Sequence, residues 1–451
     1  MNRRHFLGGA AAAATFAASK PLNAARESIA VEADPCGCNP FFTQRARRQG
    51  ADDPFKDVNT NLRVTDMKVF GVSLTPDSDR PYVFVKLETN QGLVGWGEAT
   101  LEGKASAAMA CVQDFREFIV GADPMQVEHL WESMYVHSFY RAGPVIGSAI
   151  SGIDQALWDL RGKALGVPVY QLLGGPHDDR GVRGYYHAEN ARTDEDLAKL
   201  RETALSTGVS CFKVGLPDQA YEWIETSAKI DKAVKHMQRY REKLGDEIDI
   251  AVDFHAKTSP SVATILVKEV EPLNLLWVEE PCPPENVAAM QRISQRSTTP
   301  IATGERLVAA FGFRELIEKG IVDILQPDIN HVGGITGLRK VGSMANISSV
   351  SMAPHACEGP IGGLATLHVD SSMPNFLVQE ICSFVDPGDK EKIWEDWFDF
   401  TPMRMVDGKF PLPQKPGLGF ELTEAALAKY PFGGSKPMAR VFQTDGSVGE
   451  W

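Results

Sequence analysis

The chain is poor in the features that would place it in several common functional classes. Its seven cysteines, at positions 36, 38, 111, 211, 282, 357 and 382 of 451 residues, form no CxxC pair and no zinc-ribbon spacing, so a structural zinc site is not expected. The odd count also leaves any disulfide framework incomplete, and nothing in the sequence requires Cys36 and Cys38 to pair. Positive charge is scarce: 46 Lys+Arg stand against 59 Asp+Glu, a formal net charge of −13, which repels a phosphate backbone and argues against a nucleic-acid partner. The apolar run at the amino terminus, Phe6 to Ala18, falls short of the roughly 20 residues that span a bilayer, so no stable membrane anchor is expected. Gly95-Trp96-Gly97 lacks the third glycine of a dinucleotide loop and reads instead as a tight strand turn. What is present is ordinary: 43% hydrophobic and 23% charged residues suffice for a sizeable core and exclude wholesale disorder.

The charge is unevenly spread. Residues 1 to 50 carry seven Lys or Arg against Glu27, Glu32 and Asp34, a balance of +4, which leaves −17 for the remainder. The basic Arg3-Arg4 pair precedes Phe6-Leu7 and a small-residue apolar stretch, a pattern that resembles a twin-arginine export signal. Export to the periplasm or beyond is therefore expected; a disordered Ala-rich tail on a cytoplasmic protein is the alternative. Residues 1–30 read as the signal segment and 31–60, with Pro35, Pro40 and Pro54, as a linker.

From residue 61 the texture is that of strands, Val64 to Leu74, Tyr82 to Glu88 and Leu93 to Glu98, followed by helical periodicity over 104–119, 124–137 and 149–165. This predicts an α+β domain over 61–180. Eight short apolar runs then alternate with helical stretches: Val182 to His187, Ser210 to Gly215, Asp249 to His255, Leu275 to Pro281, Pro300 to Arg306, Val322 to Asp328, Ser349 to His355 and Phe376 to Ile381. Eight strand–helix units over 181–385 fit a (β/α) TIM-type barrel of the α/β class; a doubly wound open sheet is the competing topology. Residues 386–451 are expected to pack back on the first domain or the barrel rim.

From the second run onward, each run ends on ionisable residues: Lys213, Asp253 with His255, Glu279 with Glu280, Glu305, Asp328, His355 and Glu380. In a barrel the carboxyl ends of the strands face one mouth, so these residues converge. Asp253, Glu279 and Glu305 recur at intervals of 26 residues, one strand–helix unit each. Three convergent carboxylates repel one another unless a cation sits among them, and ligation by oxygen alone selects a hard divalent ion, Mg2+. His255 lies two residues beyond Asp253 and so, at strand period, on the same face. His355 lies one unit after Asp328, close enough for the carboxylate to fix its tautomer and raise its basicity.

Taken together, Trp277-Val278-Glu279-Glu280-Pro281, Gly304-Glu305-Arg306, Gln326-Pro327-Asp328, Gly333-Gly334-Ile335-Thr336, Ala353-Pro354-His355 and Gln379-Glu380 resemble the mandelate racemase/muconate lactonising branch of the enolase superfamily. Val252-Asp253-Phe254-His255 and Tyr140-Arg141-Ala142-Gly143-Pro144 are most similar to its galactonate dehydratase group. The resemblance covers roughly residues 62–430. It implies a capping first domain that selects substrate through loops near Pro76 to Arg80 and Thr100 to Lys104. It also implies Mg2+ on Asp253, Glu279 and Glu305, His355 with Asp328 as the base, His255 as the acid and Glu380 as stabiliser of an enediolate. Lys213, Arg306 and His331 are the candidate substrate-binding side chains. One departure is informative: the second strand reads Lys213-Val214-Gly215, where racemase and lactonising relatives place a catalytic lysine at the third position. The expected activity is dehydration of an acid sugar to a 2-keto-3-deoxy acid. The alternatives are an epimerase or racemase using both histidines, and a non-catalytic secreted sugar-acid binding protein. The expected partner is a small-molecule acid sugar, and self-association into a homo-oligomer is expected for such a fold.

Overall fold

The computed structural model describes residues 61–76, 78–188, 191–217, 226–357, 359–380, 389–398, 404–438 and 440–450. The predicted signal segment and linker lie outside the described residues. No helix among the described residues is long and apolar enough to cross a membrane.

Strands β1 (Val64–Val72), β2 (Tyr82–Thr89) and β3 (Val94–Glu98) form an antiparallel meander. The helix Pro144–Leu165 packs against it. This helix begins five residues before the predicted start, because Pro144 occupies its first turn, where a missing N–H costs nothing. Gly95 and Gly97 are not in a turn but within β3. A Cβ at Gly97 would lie 2.8 Å from Ala156 N and 2.9 Å from Gln155 Cβ, and it would strike the Gly152 carbonyl oxygen. The glycines are there because a helix backbone far away in sequence runs directly over the strand.

The barrel strands are β4 (Val182–His187), β5 (Cys211–Gly215), β6 (Asp249–Asp253), β7 (Trp277–Glu279), β8 (Ile301–Thr303), β9 (Ile324–Leu325), β10 (Ser351–Met352) and β11 (Gln379–Glu380). They pair in parallel in chain order, with β11 returning to β4. Closure is made by a parallel bridge from Met352 to Phe376, supported by Leu377 N donating to Met352 O at 2.8 Å. All eight predicted runs are therefore barrel strands, and the open sheet is excluded. A twelfth strand, β12 (Lys409–Phe410), adds antiparallel to β4. The carboxy-terminal segment also reaches the meander, through a bridge from Val72 to Pro431 and ion pairs of Lys68 and Lys86 with Glu424 at 3.0 and 2.6 Å.

The barrel floor is a separate apolar layer drawn from all eight strand paths: Tyr185, Cys211, Ala251, Trp277, Ala302, Ile324, Ala353 and Val378, all buried. Large rings from β4 and β7 fill space left by alanines, as close packing requires. Strand side chains repeat with period two. Two residues further along each path stand His187, Lys213, Asp253, Glu279, Gly304, Gln326, His355 and Glu380, which makes the layer above the floor polar.

Candidate active site

Lys213 is the hub of that layer. Only 2% exposed, its Nζ lies 3.0 Å from Asp253 Oδ2, 2.8 Å from Glu279 Oε1 and 2.8 Å from Glu380 Oε1. Expected at the substrate, it is enclosed instead by three carboxylates. Burial opposes charge on Asp253 and Glu380, yet Lys213 and the adjacent imidazoles hold both well below the usual carboxylate range. Glu279 differs: burial and then the Asp253 charge lift it to about 8, against the pull of Lys213.

The three carboxylates predicted as metal ligands are not equivalent. Ligand atoms of Asp253, Glu305 and His255 lie within 4.8 Å of one another, and Glu279 is outside that set. Both Glu279 oxygens are engaged, Oε1 by Lys213 and Oε2 by Trp277 Nε1 at 3.0 Å and Gln326 Nε2 at 2.8 Å. Asp253 Oδ2 and Glu305 Oε2, by contrast, are buried without a hydrogen bond. Glu305 Oε2 lacks a hydrogen-bond donor and Asp253 Oδ2 is met only by the charges of Lys213 and His255, at 3.0 and 3.1 Å; two buried carboxylates this close, with an imidazole beside them, fit a divalent cation. A second convergence, of His187, Cys357 and Glu380, does not offer a thiolate because Cys357 is disulfide-bonded. Cys36, Cys38 and Cys382 lie outside the described residues.

The two expected histidines are both present and differently held. His355 Nδ1 donates to Asp328 Oδ2 at 2.7 Å, and Asp328 Oδ1 accepts from Asn330 N at 2.6 Å. This fixes the ring so that Nε2 faces Glu305 and Glu380, at 3.6 and 3.8 Å. Burial disfavours its charged form, but Glu305, Glu380 and Asp328 outweigh that and raise its pKa well above the ordinary value. His255 is not placed by strand period. The strand ends at Asp253, and the backbone is left-handed at His255 (φ 46°) and Ala256 (φ 52°), a conformation that non-glycine residues adopt at a cost of order 1–3 kcal/mol. That turn brings His255 Nε2 back to 3.1 Å from Asp253 Oδ2, while Asp253 Oδ1 accepts the His255 backbone N–H at 2.8 Å. Against the burial penalty, Asp253 lifts the His255 imidazole to about 9.

β6 and β10 are four places apart around eight strands, so His255 and His355 approach the mouth from opposite sides. Arg306 forks onto Glu280, with Nε to Oε1 at 3.0 Å and Nη2 to Oε2 at 2.7 Å. His331 Nδ1 lies 2.9 Å from Ser148 Oγ of the long helix. The two loops expected to cap the mouth are joined by an Arg80–Glu102 ion pair of 3.0 Å.

Two members of the polar layer escaped the sequence reading. His187 closes the first apolar run and so obeys the same run-end rule; its Nε2 lies 2.6 Å from Glu380 Oε1. Gln326 sits within a quoted motif but is uncharged, so a search for ionisable residues passed over it.

The chain matches the mandelate racemase/muconate lactonizing enzyme amino-terminal domain over residues 58–174 and the enolase carboxy-terminal domain-like family over 196–426. It is 38% identical over 373 residues to the D-galactonate dehydratase of Cronobacter sakazakii, covering 82% of this chain and 96% of that protein. It is 37% identical over 374 residues to the D-galactonate dehydratase of Pectobacterium atrosepticum, with the same 82% and 96% coverage. Among solved structures, an enolase from Pantoea ananatis with bound D-gluconate and Mg superposes with a TM-score of 0.77 at 29% identity, over 87% of this chain and 100% of that one. An enolase-superfamily member from Salmonella Typhimurium gives 0.75 at 30% identity, over 82% and 98%. With both domain models matched in order and the barrel mouth built as described, the chain belongs to the mandelate racemase/muconate lactonizing enzyme family of the enolase superfamily.

Proposed function

We propose that the chain is a Mg2+-dependent acid-sugar dehydratase, a hydro-lyase that removes the proton alpha to a carboxylate and expels the 3-hydroxyl to give a 2-keto-3-deoxy acid. The observation that carries this reading is the pair of imidazoles on opposite sides of one carboxylate-lined mouth, one of them backed by Asp328 at 2.7 Å. The relatives named D-galactonate dehydratase and the gluconate held by the Pantoea structure support a six-carbon aldonic acid as the substrate class. The residues that would hold Mg2+ are Asp253 and Glu305, with Glu279 beside them. When bound, the ion draws charge from the substrate carboxylate and so acidifies the adjacent C–H.

The remaining work falls to the chain's own side chains. His355 Nε2 takes the C2 proton, since Nδ1 is committed as donor to Asp328. Glu380 would act as the hydrogen-bonding acid toward the charge that develops on the carboxylate oxygen; Lys213 and the imidazoles hold it ionised before substrate enters, so it has to gain a proton with the substrate before it can donate there. His255, across the barrel, protonates the departing 3-hydroxyl. Lys213 holds the carboxylates together through its three ion pairs, and Arg306 and His331 remain the candidates for substrate contact at the rim. Gly215, the third residue of the Lys213-Val214-Gly215 run that ends β5, leaves no lysine there to serve as a second base.

The test is keto-acid formation from a panel of aldonic and aldaric acids, lost on chelation and restored by Mg2+. A His255→Asn variant is expected to exchange the C2 proton with D2O without eliminating water; normal dehydration by that variant would remove His255 from its role. Epimerised product without keto acid would establish the epimerase reading, and binding without turnover the binding-protein reading. We extend the proposal to export through the Arg3-Arg4 segment, checked by cell fractionation of wild type against an R3K/R4K variant.

A further inference from the structure

The mechanism above leaves His187 without a part, although it stands in the polar layer. Its ring stacks on Tyr185 of the floor, 6.3 Å between centroids and 8° from parallel. Its Nε2 lies 2.6 Å from Glu380 Oε1. Glu380 is fully buried, and its two oxygens have different surroundings. Oε1 receives His187 and, at 2.8 Å, Lys213. Oε2 faces Ala356 N at 3.4 Å and His355 Nε2 at 3.8 Å, on the side where the proton is taken. A terminal carboxylate torsion is broad and roughly two-fold, so covalent geometry does not choose which oxygen faces the base. Lys213 does not choose either, because its ammonium is shared with Asp253 and Glu279. The imidazole is planar, seated on Tyr185, and directed at one oxygen.

We infer that His187 is a positioning residue: its Nε2–H pins Glu380 Oε1, so that Oε2, the oxygen that would carry the acid proton, is presented to the substrate oxygen on which charge develops. The inference rests on the dehydratase reading for its functional consequence, and on geometry alone for its structural one. A carboxylate held by one directed donor keeps its aim when substrate enters; the same carboxylate without it is free to turn toward Lys213 with both oxygens. Removing such an outer partner of a reacting group typically costs roughly 10- to 100-fold in activity. The loss should fall on kcat, because Glu380 acts on charge that appears only in the transition state.

The experiment compares His187→Leu, which removes the donor at similar volume, with His187→Gln, whose Nε2 reaches the place of the imidazole Nε2. The expected result is a kcat lower by about 10- to 100-fold for the Leu variant, with KM within about threefold of wild type, and recovery of most of kcat by Gln. Wild-type kcat in the Leu variant, a change confined to KM, or equal impairment of Leu and Gln overturns the inference. If wild type turns over no acid sugar, the functional reading has failed, and crystal structures of the two variants still decide the positioning role. A Glu380 carboxylate turned in the Leu variant and retained in the Gln variant supports it; one unmoved in the Leu variant overturns it.

Discussion

Replacing Asp328 with asparagine tests the base assignment more sharply than removing the histidine. Asp328 accepts at both carboxylate oxygens: Oδ1 takes the Asn330 backbone N–H at 2.6 Å, and Oδ2 takes His355 Nδ1–H at 2.7 Å. An asparagine has one acceptor and one donor end. The Asn330 N–H cannot become an acceptor, and an amide NH2 set against it at that distance would oppose two donors. The amide oxygen must therefore stay on Asn330, which turns NH2 toward His355 Nδ1. That nitrogen then has to accept, its proton moves to Nε2, and the lone pair that would take the C2 proton is gone. The volume and packing change hardly at all. The same exchange beneath the catalytic histidine of serine proteases costs about 10^4-fold in kcat, or about 5.5 kcal/mol of barrier, and a comparable loss is expected in Asp328→Asn. The assays are keto-acid formation and C2 proton exchange in D2O, which should fall together because both need the base. Melting temperature and calorimetric Mg2+ binding serve as controls and should stay near wild type. Activity within tenfold of wild type, with those controls intact, would refute the tautomer argument and with it the place of the dyad in proton removal.

Two further predictions concern how the cap is held. Gly97→Ala sets a Cβ against the Gly152 carbonyl and within 2.8 Å of Ala156 N; since helix backbone cannot give way locally, the cost should be about 3 kcal/mol or more, seen as a melting temperature several degrees lower, whereas an unchanged value would mean that the strand and helix are not in this contact. Asp154, fully buried, accepts from Thr336 N at 2.9 Å and Thr336 Oγ1 at 2.6 Å, and burial lifts its carboxyl from 3.8 to about 7, with Thr336 and Lys340 pulling down and Glu128 adding to the rise. The native state then binds a proton that the unfolded chain, near 3.9, has released, so this contribution is full at low pH and is lost as pH rises through about 7. Asp154→Asn should flatten that loss, giving a variant that gains on wild type by at most about 2.7 kcal/mol between pH 5 and pH 9 in urea unfolding, most of it below pH 7; a difference that does not grow with pH would show the carboxylate to be ionised throughout.

What could be read from the sequence, and what could not, separates along a physical line. The eight barrel strands were legible because each is a short apolar run set off by a helical stretch, and burial on both faces makes such runs nearly uniform in hydrophobicity. The mouth residues were legible because charge at the end of an apolar run is costly unless the end opens on a site. His187, which ends the run beginning at Val182, obeys that same rule. Gln326 could not be found this way, being neutral, although its amide fixes Glu279 Oε2. The reading of Gly95 and Gly97 as a turn failed for a different reason. A glycine records that something comes close, not what, and here the neighbour is a helix more than 50 residues later in the chain. Strand period does not place His255, because β6 ends at Asp253, and the approach of Nε2 to the carboxylate depends on two left-handed residues that no periodicity signals.

Pairing among the charges was the least legible part, and the reason lies in the floor beneath them. Side chains in a barrel are committed to a height by their position along the strand, and the floor layer from Tyr185 to Val378 fixes that height for the next residue inward on every path. Lys213 is thereby set level with Asp253, Glu279, His355 and Glu380, at the centre of a cavity that the floor closes from below. A lysine at such a height has no route to water and must satisfy itself on the carboxylates around it, as its three contacts at 2.8–3.0 Å show. Glu305 and Asp328 escape this commitment because they lie three and four residues beyond their floor residues, Ala302 and Ile324, above the level of the lysine. They face His355 on its two ring nitrogens, Glu305 on Nε2 and Asp328 on Nδ1, while Glu380 Oε2 reaches Nε2 from the lysine's own level. Height thus sets the partner each acid takes: those level with Lys213 commit an oxygen to its ammonium, and the two above it stand against the imidazole. The apolar floor fixes that height through strand register, because a one-residue slip would turn the side chains of the layer above it away from the barrel axis.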